Sequence, residues 1–189
     1  LHLPTTESTE EERKASFDAV MGKDRLFMLD HFGSTDVDNI VSRVRYMAKG
    51  MDCKYIFLDH ISIIVSAQAQ LDERKAIDEI MTKLRMLVQE TGVCLFVVSH
   101  LKRPDKKGHE EGAATSLAQL RGSASIAQLS DIVLGLERDG QAEDAIVRNT
   151  TNVRVLKNRF SGETGWCTSL YFDKATGRLS EMTNGEDRL

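Results

Sequence analysis

Two apolar runs, each carrying a polar residue at its end, constrain this chain more than any other feature. KYIFLDHISIIV, Lys54 to Val65, has the composition of a strand in the middle of a sheet, yet it carries Asp59 and His60. VCLFVVSH, Val93 to His100, is a second such run and closes on His100. Near-continuous apolar strands suit parallel sheets, which are covered on both faces. Between the two runs, Ile77, Ile80, Met81, Leu84, Leu87 and Val88 recur every three or four residues, the spacing of one helix face. Gly92 follows as a stop. Strand, helix and strand in that order predict a parallel pair with helices against the sheet. Ligands in such folds sit beyond the carboxyl ends of the strands. Asp59 and His100 are therefore the first candidates for chemistry.

The flanking sequence extends this plan. TEEERKASFDAVMG, Thr9 to Gly22, is acidic at its front and reads as a helix. RLFMLD, Arg25 to Asp30, reads as a short strand. Ser34 or Thr35 can cap a helix whose stripe is Val37, Ile40, Val41, Val44 and Met47. Downstream, DIVLGLER, Asp131 to Arg138, reads as a strand and DGQAEDAIVRNT as a polar linker. TNVRVLKNR alternates as a half-solvated antiparallel strand does, and TSLYFDKATGRLSEM reads as a hairpin turning near Thr176 and Gly177. The expected fold class is α/β: a mainly parallel sheet with antiparallel strands at its C-terminal end, in one domain spanning residues 1–189.

With 189 residues the chain can bury one sizeable core. Its formal charge of -4 makes the whole surface a poor attractor for nucleic acid, so any such contact must come from local Lys and Arg clusters. Three scattered cysteines, Cys53, Cys94 and Cys167, suit a reducing compartment. No apolar run approaches the ~20 residues that span a membrane, and no signal peptide is visible. A cytoplasmic setting is expected. The chain opens LHLPTTE without Met and reads as a piece of a longer protein.

Each motif has a functional and a plain reading. Asp59, after an apolar strand, can hold the Mg²⁺ shell of a nucleotide, but such runs also end in simple caps and turns. His100 can hydrogen-bond a terminal phosphate or the attacking water, or merely satisfy a turn. LKRPDKKGHEEG places Lys102, Arg103, Lys106 and Lys107 on a loop leaving that same strand end, where they can grip a phosphate backbone or lie in solvent beside Glu110 and Glu111. Arg121, Gly122 and Ser123 can approach a phosphate closely, or form a capping turn. Lys157 and Arg159, two apart on a strand, leave the same face and can act as a cationic finger across a subunit boundary, or form a charged strand face.

In order, IFLDHISIIVSA, DERKAIDEIMTKL, TGVCLFVVSHLKRPDK, HEEG, LRGSASIAQLSD, LER, LKNRFSGETG and YFDKATGRL resemble the helicase domain of DnaB-type hexameric replicative helicases. The likeness runs from about Arg25 to Met182 and is greatest to the primase-helicases of T-odd coliphages, with Twinkle more distant. It implies a RecA-like core, ATP or another NTP with Mg²⁺, and translocation on single-stranded DNA during replication. It implies a hexameric ring of copies, with primase and DNA polymerase as further replisome partners and no membrane. It assigns Asp59 to Mg²⁺, His100 to phosphate sensing, and Lys102, Arg103, Lys106 and Lys107 to DNA. It assigns Arg121, Gly122, Ser123 and Gln128 to DNA contact or coupling, Lys157 and Arg159 to the finger, and Arg138 and Phe172 to the adenine. Ala127 stands where the nearest relatives place an Arg. The G-x-x-x-x-G-K-[ST] phosphate loop occurs nowhere in the chain. Truncation of the domain upstream is therefore expected, and with it an isolated chain that does not hydrolyse ATP at a helicase's rate. A RecA-like recombinase or other ATPase of that superfamily is the enzymatic alternative. A non-catalytic DNA-binding or assembly remnant is the other.

Overall fold

The computed structural model describes residues 9–22, 26–29, 37–61, 73–102, 108–120 and 124–182. Helix α1 (Glu10–Met21) starts with a capping box, in which the Thr9 hydroxyl accepts from the Glu12 N–H and Glu12 reaches back to the Thr9 N–H. It buries none of its residues. Helix α2 (Val37–Lys49) buries Val37, Val41 and Val44, the stripe its spacing predicts. Strand β1 (Tyr55–Leu58) lies parallel to β2 (Cys94–Val97). Helix α3 (Glu73–Thr91) crosses between them and closes at Gly92, whose φ of 71° is left-handed and whose N–H bonds the Val88 carbonyl at 2.8 Å.

The core is one cluster. Ile77, Ile80, Leu84 and Leu87 of α3 are buried against Val37, Val41 and Val44 of α2 and Ile56 of β1. Each such side chain contributes about 1.5–3 kcal/mol of burial. Beyond a short helix, α4 (Ala124–Leu129), the chain builds a four-stranded antiparallel sheet from β3 (Ile132–Glu137), β4 (Thr150–Asn158), β5 (Gly165–Asp173) and β6 (Arg178–Glu181), in the order β3-β4-β5-β6. Ile126 and Val133 join the same core. β5 and β6 form the expected hairpin, turning through Gly177 at φ 69°.

Three details depart from the sequence reading. Among the described residues the antiparallel sheet does not hydrogen-bond to the parallel pair, so the strands form two sheets rather than one. Residues 26–29 form no strand, and Met28 is 80% exposed; a strand needs a neighbour for its backbone groups, and among the described residues none pairs with them. The polar linker contains a helical turn, α5 (Ala145–Asn149), because Asp144 caps it by accepting from the N–H groups of Ile146 and Val147.

The other face of the parallel pair carries exposed aromatic side chains. Tyr55 and Phe57 of β1 are 70% and 71% exposed, and Phe57 stacks on Phe96 of β2 with centroids 4.5 Å apart. On β3, Leu134 and Leu136 are likewise exposed.

Candidate functional site

The parallel register pairs Leu58 with Val97, so β1 and β2 end together. Beyond them the backbones stay joined: the Val98 N–H bonds the Leu58 carbonyl, and the Ile61 N–H bonds that of Val98, each at 3.0 Å. This places Asp59 and His100 on one rim. The His60 ring meets the His100 ring edge-on, with centroids 4.3 Å apart. Asp59 is exposed, and no donor among the described residues engages its carboxylate. His60 Nδ1 is buried and has no partner among those residues.

The charged loop leaves from this rim and is tied at both ends. At its start Leu101 bridges Leu120, and the Lys102 N–H bonds the Gln119 carbonyl at 2.7 Å. At its end Glu111 bridges Asp139, and the Gly140 N–H bonds the Glu110 carbonyl at 3.0 Å. Lys102 is exposed, while Arg103, Lys106 and Lys107 lie outside the described residues, as do Arg121, Gly122 and Ser123. Both segments nevertheless depart from one point, since Leu101 and Leu120 immediately precede them.

Lys157 and Arg159 converge on the end of α4. The Lys157 ammonium donates to the carbonyls of Ala127 (2.6 Å), Ser130 (2.8 Å) and Gln128 (3.2 Å), which satisfies all three of its N–H groups. Arg159 donates Nη2 to the Gln128 carbonyl at 2.8 Å and pairs Nη1 with Asp131 at 2.9 Å. Gln128 thus enters through its backbone, with its side chain exposed.

Arg138 and Phe172 occupy the opposite end of the antiparallel sheet. Glu137 pairs with Asn152, and Asn152 with Ser169, so Arg138 follows β3 at the level where β5 runs on to Phe172. Arg138 Nε donates to the Arg148 carbonyl at 2.8 Å, and Phe172 is half-buried. Lys157 pairs with Val133 at the start of β3, so the strand separates the two cationic groups by ~20 Å.

Three further features have no counterpart in the sequence reading. Glu137 is a buried carboxylate. Its Oε1 accepts from the Thr115 N–H (2.8 Å), the Thr115 hydroxyl (2.9 Å) and Arg154 Nε (2.8 Å). Gly135 makes room for it, since a Cβ there would come within 2.9 Å of the Thr115 Cβ. The nest clamps residues 113–116, just after the charged loop, onto β3. Asp131 joins Arg85 to Arg159, and His60 touches His100. An acidic residue inside an apolar strand was the only visible signal for Glu137. A cavity of about 680 Å³ between residues 27–29 and α2 lies apart from all of these groups. No cluster of three or more His, Cys, Asp or Glu able to hold a metal occurs among the described residues. No helix described is long and apolar enough to cross a membrane.

Comparison with known proteins bears on family and fold. Residues 4–181 match the DnaB-like helicase C terminal domain. The chain is 44% identical over 173 residues to a DNA helicase/primase of Enterobacteria phage T3, covering 90% of this chain and 30% of that protein. It is 32% identical over 101 residues to the replicative DNA helicase DnaB of Treponema pallidum, covering 53% of this chain and 20% of that one. The chain thus spans less than a third of these relatives. Among solved structures, a DnaB-like replicative helicase studied with primase superposes with a TM-score of 0.69 at 22% identity, over 93% of this chain and 42% of that one. A KaiC-like protein of Pyrococcus horikoshii follows at 0.60 and 16%, over 94% and 72%. The chain belongs to the DnaB-like helicase C-terminal domain family and carries its RecA-like α/β fold.

Proposed function

We propose that this chain is the C-terminal part of an NTP-driven replicative DNA helicase domain, acting in the intact protein as a ring of copies that moves along single-stranded DNA. One observation carries the reading: a parallel strand pair delivers Asp59 and His100 to one rim, from which a loop rich in Lys and Arg departs at once. A nucleotide contact and a DNA contact would then lie a few residues apart, just beyond the end of β2.

The residues fit Mg²⁺ as part of a nucleotide complex. Asp59 offers an exposed carboxylate with no donor on it among the described residues, and a cation held by one carboxylate, waters and phosphates needs no more from the chain. Bound there, the ion would offset the phosphates' charge. His100 would sense the terminal phosphate, and the loop from Lys102 would carry that state to DNA. Arg138 and Phe172 would flank the base. Lys157 and Arg159, at the far end of β3, are too distant to serve a nucleotide held by Arg138 and Phe172 of their own chain. Lys157 has its three N–H groups on carbonyls at the end of α4, so of the two it is Arg159 that would serve a neighbour's nucleotide in a ring of copies. Primase is a fitting partner, since one relative combines helicase and primase in one protein and a solved neighbour was studied with primase.

The exposed aromatic face of β1 and β2 supports a partial domain. A layered α/β domain buries both faces of its sheet, and stacked exposed aromatics are what remains when one layer is missing. The missing layer would bring the phosphate loop that the sequence lacks. The isolated chain is therefore expected to show no DNA-stimulated NTP hydrolysis, while a version extended upstream through such a loop regains it. Robust turnover by the 189-residue chain alone would refute this. In the intact protein, Lys102→Ala should weaken single-strand affinity several-fold and reduce the salt slope of binding by about one contact, with DNA-free hydrolysis unchanged. Filter binding across a salt series reads both. Intact affinity with lost hydrolysis would reassign the loop.

A further inference from the structure

We infer that Asp131 is the positioning residue of Arg159, fixing where the guanidinium stands at the subunit boundary. The inference deepens the finger reading of Arg159 and rests on it. A finger acts only if its charge is already in place when a phosphate arrives, because misplacement by about 1 Å can cost ~100-fold. Arginine is a long side chain with many rotamers, so something must hold it.

The structure shows what does. Asp131 is half-buried and uses its two oxygens separately: Oδ1 pairs with Arg159 Nη1 at 2.9 Å, and Oδ2 with Arg85 Nη1 at 2.6 Å. The Arg159 N–H also bonds the Asp131 backbone carbonyl at 2.8 Å, and Nη2 bonds the Gln128 carbonyl. Backbone and side chain of Arg159 are thereby fixed to the single turn Gln128–Asp131. That turn is held in its own right by the Lys157 ammonium, which donates to the Gln128 and Ser130 carbonyls within it and to that of Ala127 just before it. Arg85 lies on α3, beside Leu84, which is 2% exposed. Asp131 therefore links the finger to α3, the helix whose inner face fills the core. Among the described residues Arg159 uses one N–H of each terminal nitrogen in this way, and the others would be available to a neighbour's phosphate. Charge favours the arrangement: two guanidinium groups share one carboxylate, so net positive charge remains at the boundary.

The plain alternative is an ionic staple that merely stabilises the turn before β3. Nonadditivity separates the two. In the intact ring, Asp131→Asn keeps one acceptor oxygen but presents an NH₂ group to an arginine, and should lower kcat by roughly 10- to 100-fold with the KM for NTP nearly unchanged. Adding Asp131→Asn to Arg159→Ala should cost little further, because the group it positions is already gone. Multiplying losses in the double variant, or normal turnover in Asp131→Asn alone, would overturn the inference. Normal turnover in Arg159→Ala would overturn the finger reading itself, a result that does not involve Asp131. Should Asp131→Asn fail to assemble, Arg85→Gln carries the same test, since it frees Asp131 from the core without touching the finger. A kcat loss that vanishes in the Arg159→Ala background supports the inference, and a loss that persists there sinks it.

Discussion

Arg159→Ala in the intact ring should cut NTP hydrolysis by roughly 10³- to 10⁵-fold while leaving NTP binding within a few-fold. The expectation follows from where charge is needed. Phosphoryl transfer asks the protein for little covalent chemistry and much electrostatic stabilisation, so a guanidinium aimed at the transferring group acts on the transition state and hardly on ground-state binding. Arg159 suits this role better than Lys157. The Lys157 ammonium has all its donors committed to carbonyls at the end of α4, whereas among the described residues Arg159 commits only two N–H groups. Position supports it as well, since Arg159 lies across β3 from Arg138 and Phe172 and cannot reach a base they hold. Rings mixed from wild-type and Arg159→Ala subunits give the sharper test. A finger acting in trans should lower turnover with the fraction of altered subunits, while a variant carrying Asp59→Ala in the same chain should leave some boundaries intact. Unchanged turnover in the uniform Arg159→Ala ring would remove the finger.

What the sequence made legible was what local spacing decides. The α3 stripe forecasts buried residues that the structure buries: Ile77, Ile80 and Leu84 are all at most 2% exposed. The rim was legible too, because apolar strand followed by Asp or His is a local pattern and parallel pairing brings such ends together. What escaped depends on partners far away in sequence. Residues 26–29 have a strand's composition, but a strand exists only through a neighbour's backbone. Glu137 meets Thr115 and Arg154 across 22 and 17 residues, through a register that β3 and β4 fix only when paired. Asp131 reads as the first residue of a strand, and nothing nearby announces Arg85, which is 46 residues away. Lys157 and Arg159 were visible as a same-face pair, but the carbonyls that receive them were not. Asp144 was the exception, a legible cap whose helix was overlooked because only five residues follow it.

Glu137 carries the largest expected effect on stability. It is 8% exposed, and Glu137→Ala would leave the buried Thr115 N–H without an acceptor and Arg154 without its partner. Removing one member of a buried pair costs about 3–5 kcal/mol, and because Arg154 can still reach water the loss should fall near the lower end, about 3 kcal/mol. For a chain of this size that corresponds to a fall in Tm of about 6–12 °C. The pH dependence follows from the same contacts. Burial pushes the Glu137 carboxyl up, but the Arg154 guanidinium and the Thr115 N–H and hydroxyl outweigh it and hold it below its ordinary value of 4.5. A carboxylate depressed in the folded chain contributes stability above its unfolded value, and that contribution is lost as pH falls through the folded value. The Tm gap between wild type and Glu137→Gln should therefore be widest near neutral pH, begin to shrink below about 4.5, and close under stronger acid. The gap is the informative quantity because other carboxylates titrate in acid as well; Glu90, held down to about 2 by Arg45 and Lys49, is present in both proteins and cancels. A gap that widened on acidification would mean that burial outweighs the donors, and the nest would then be a cost to the fold rather than a clamp on the loop.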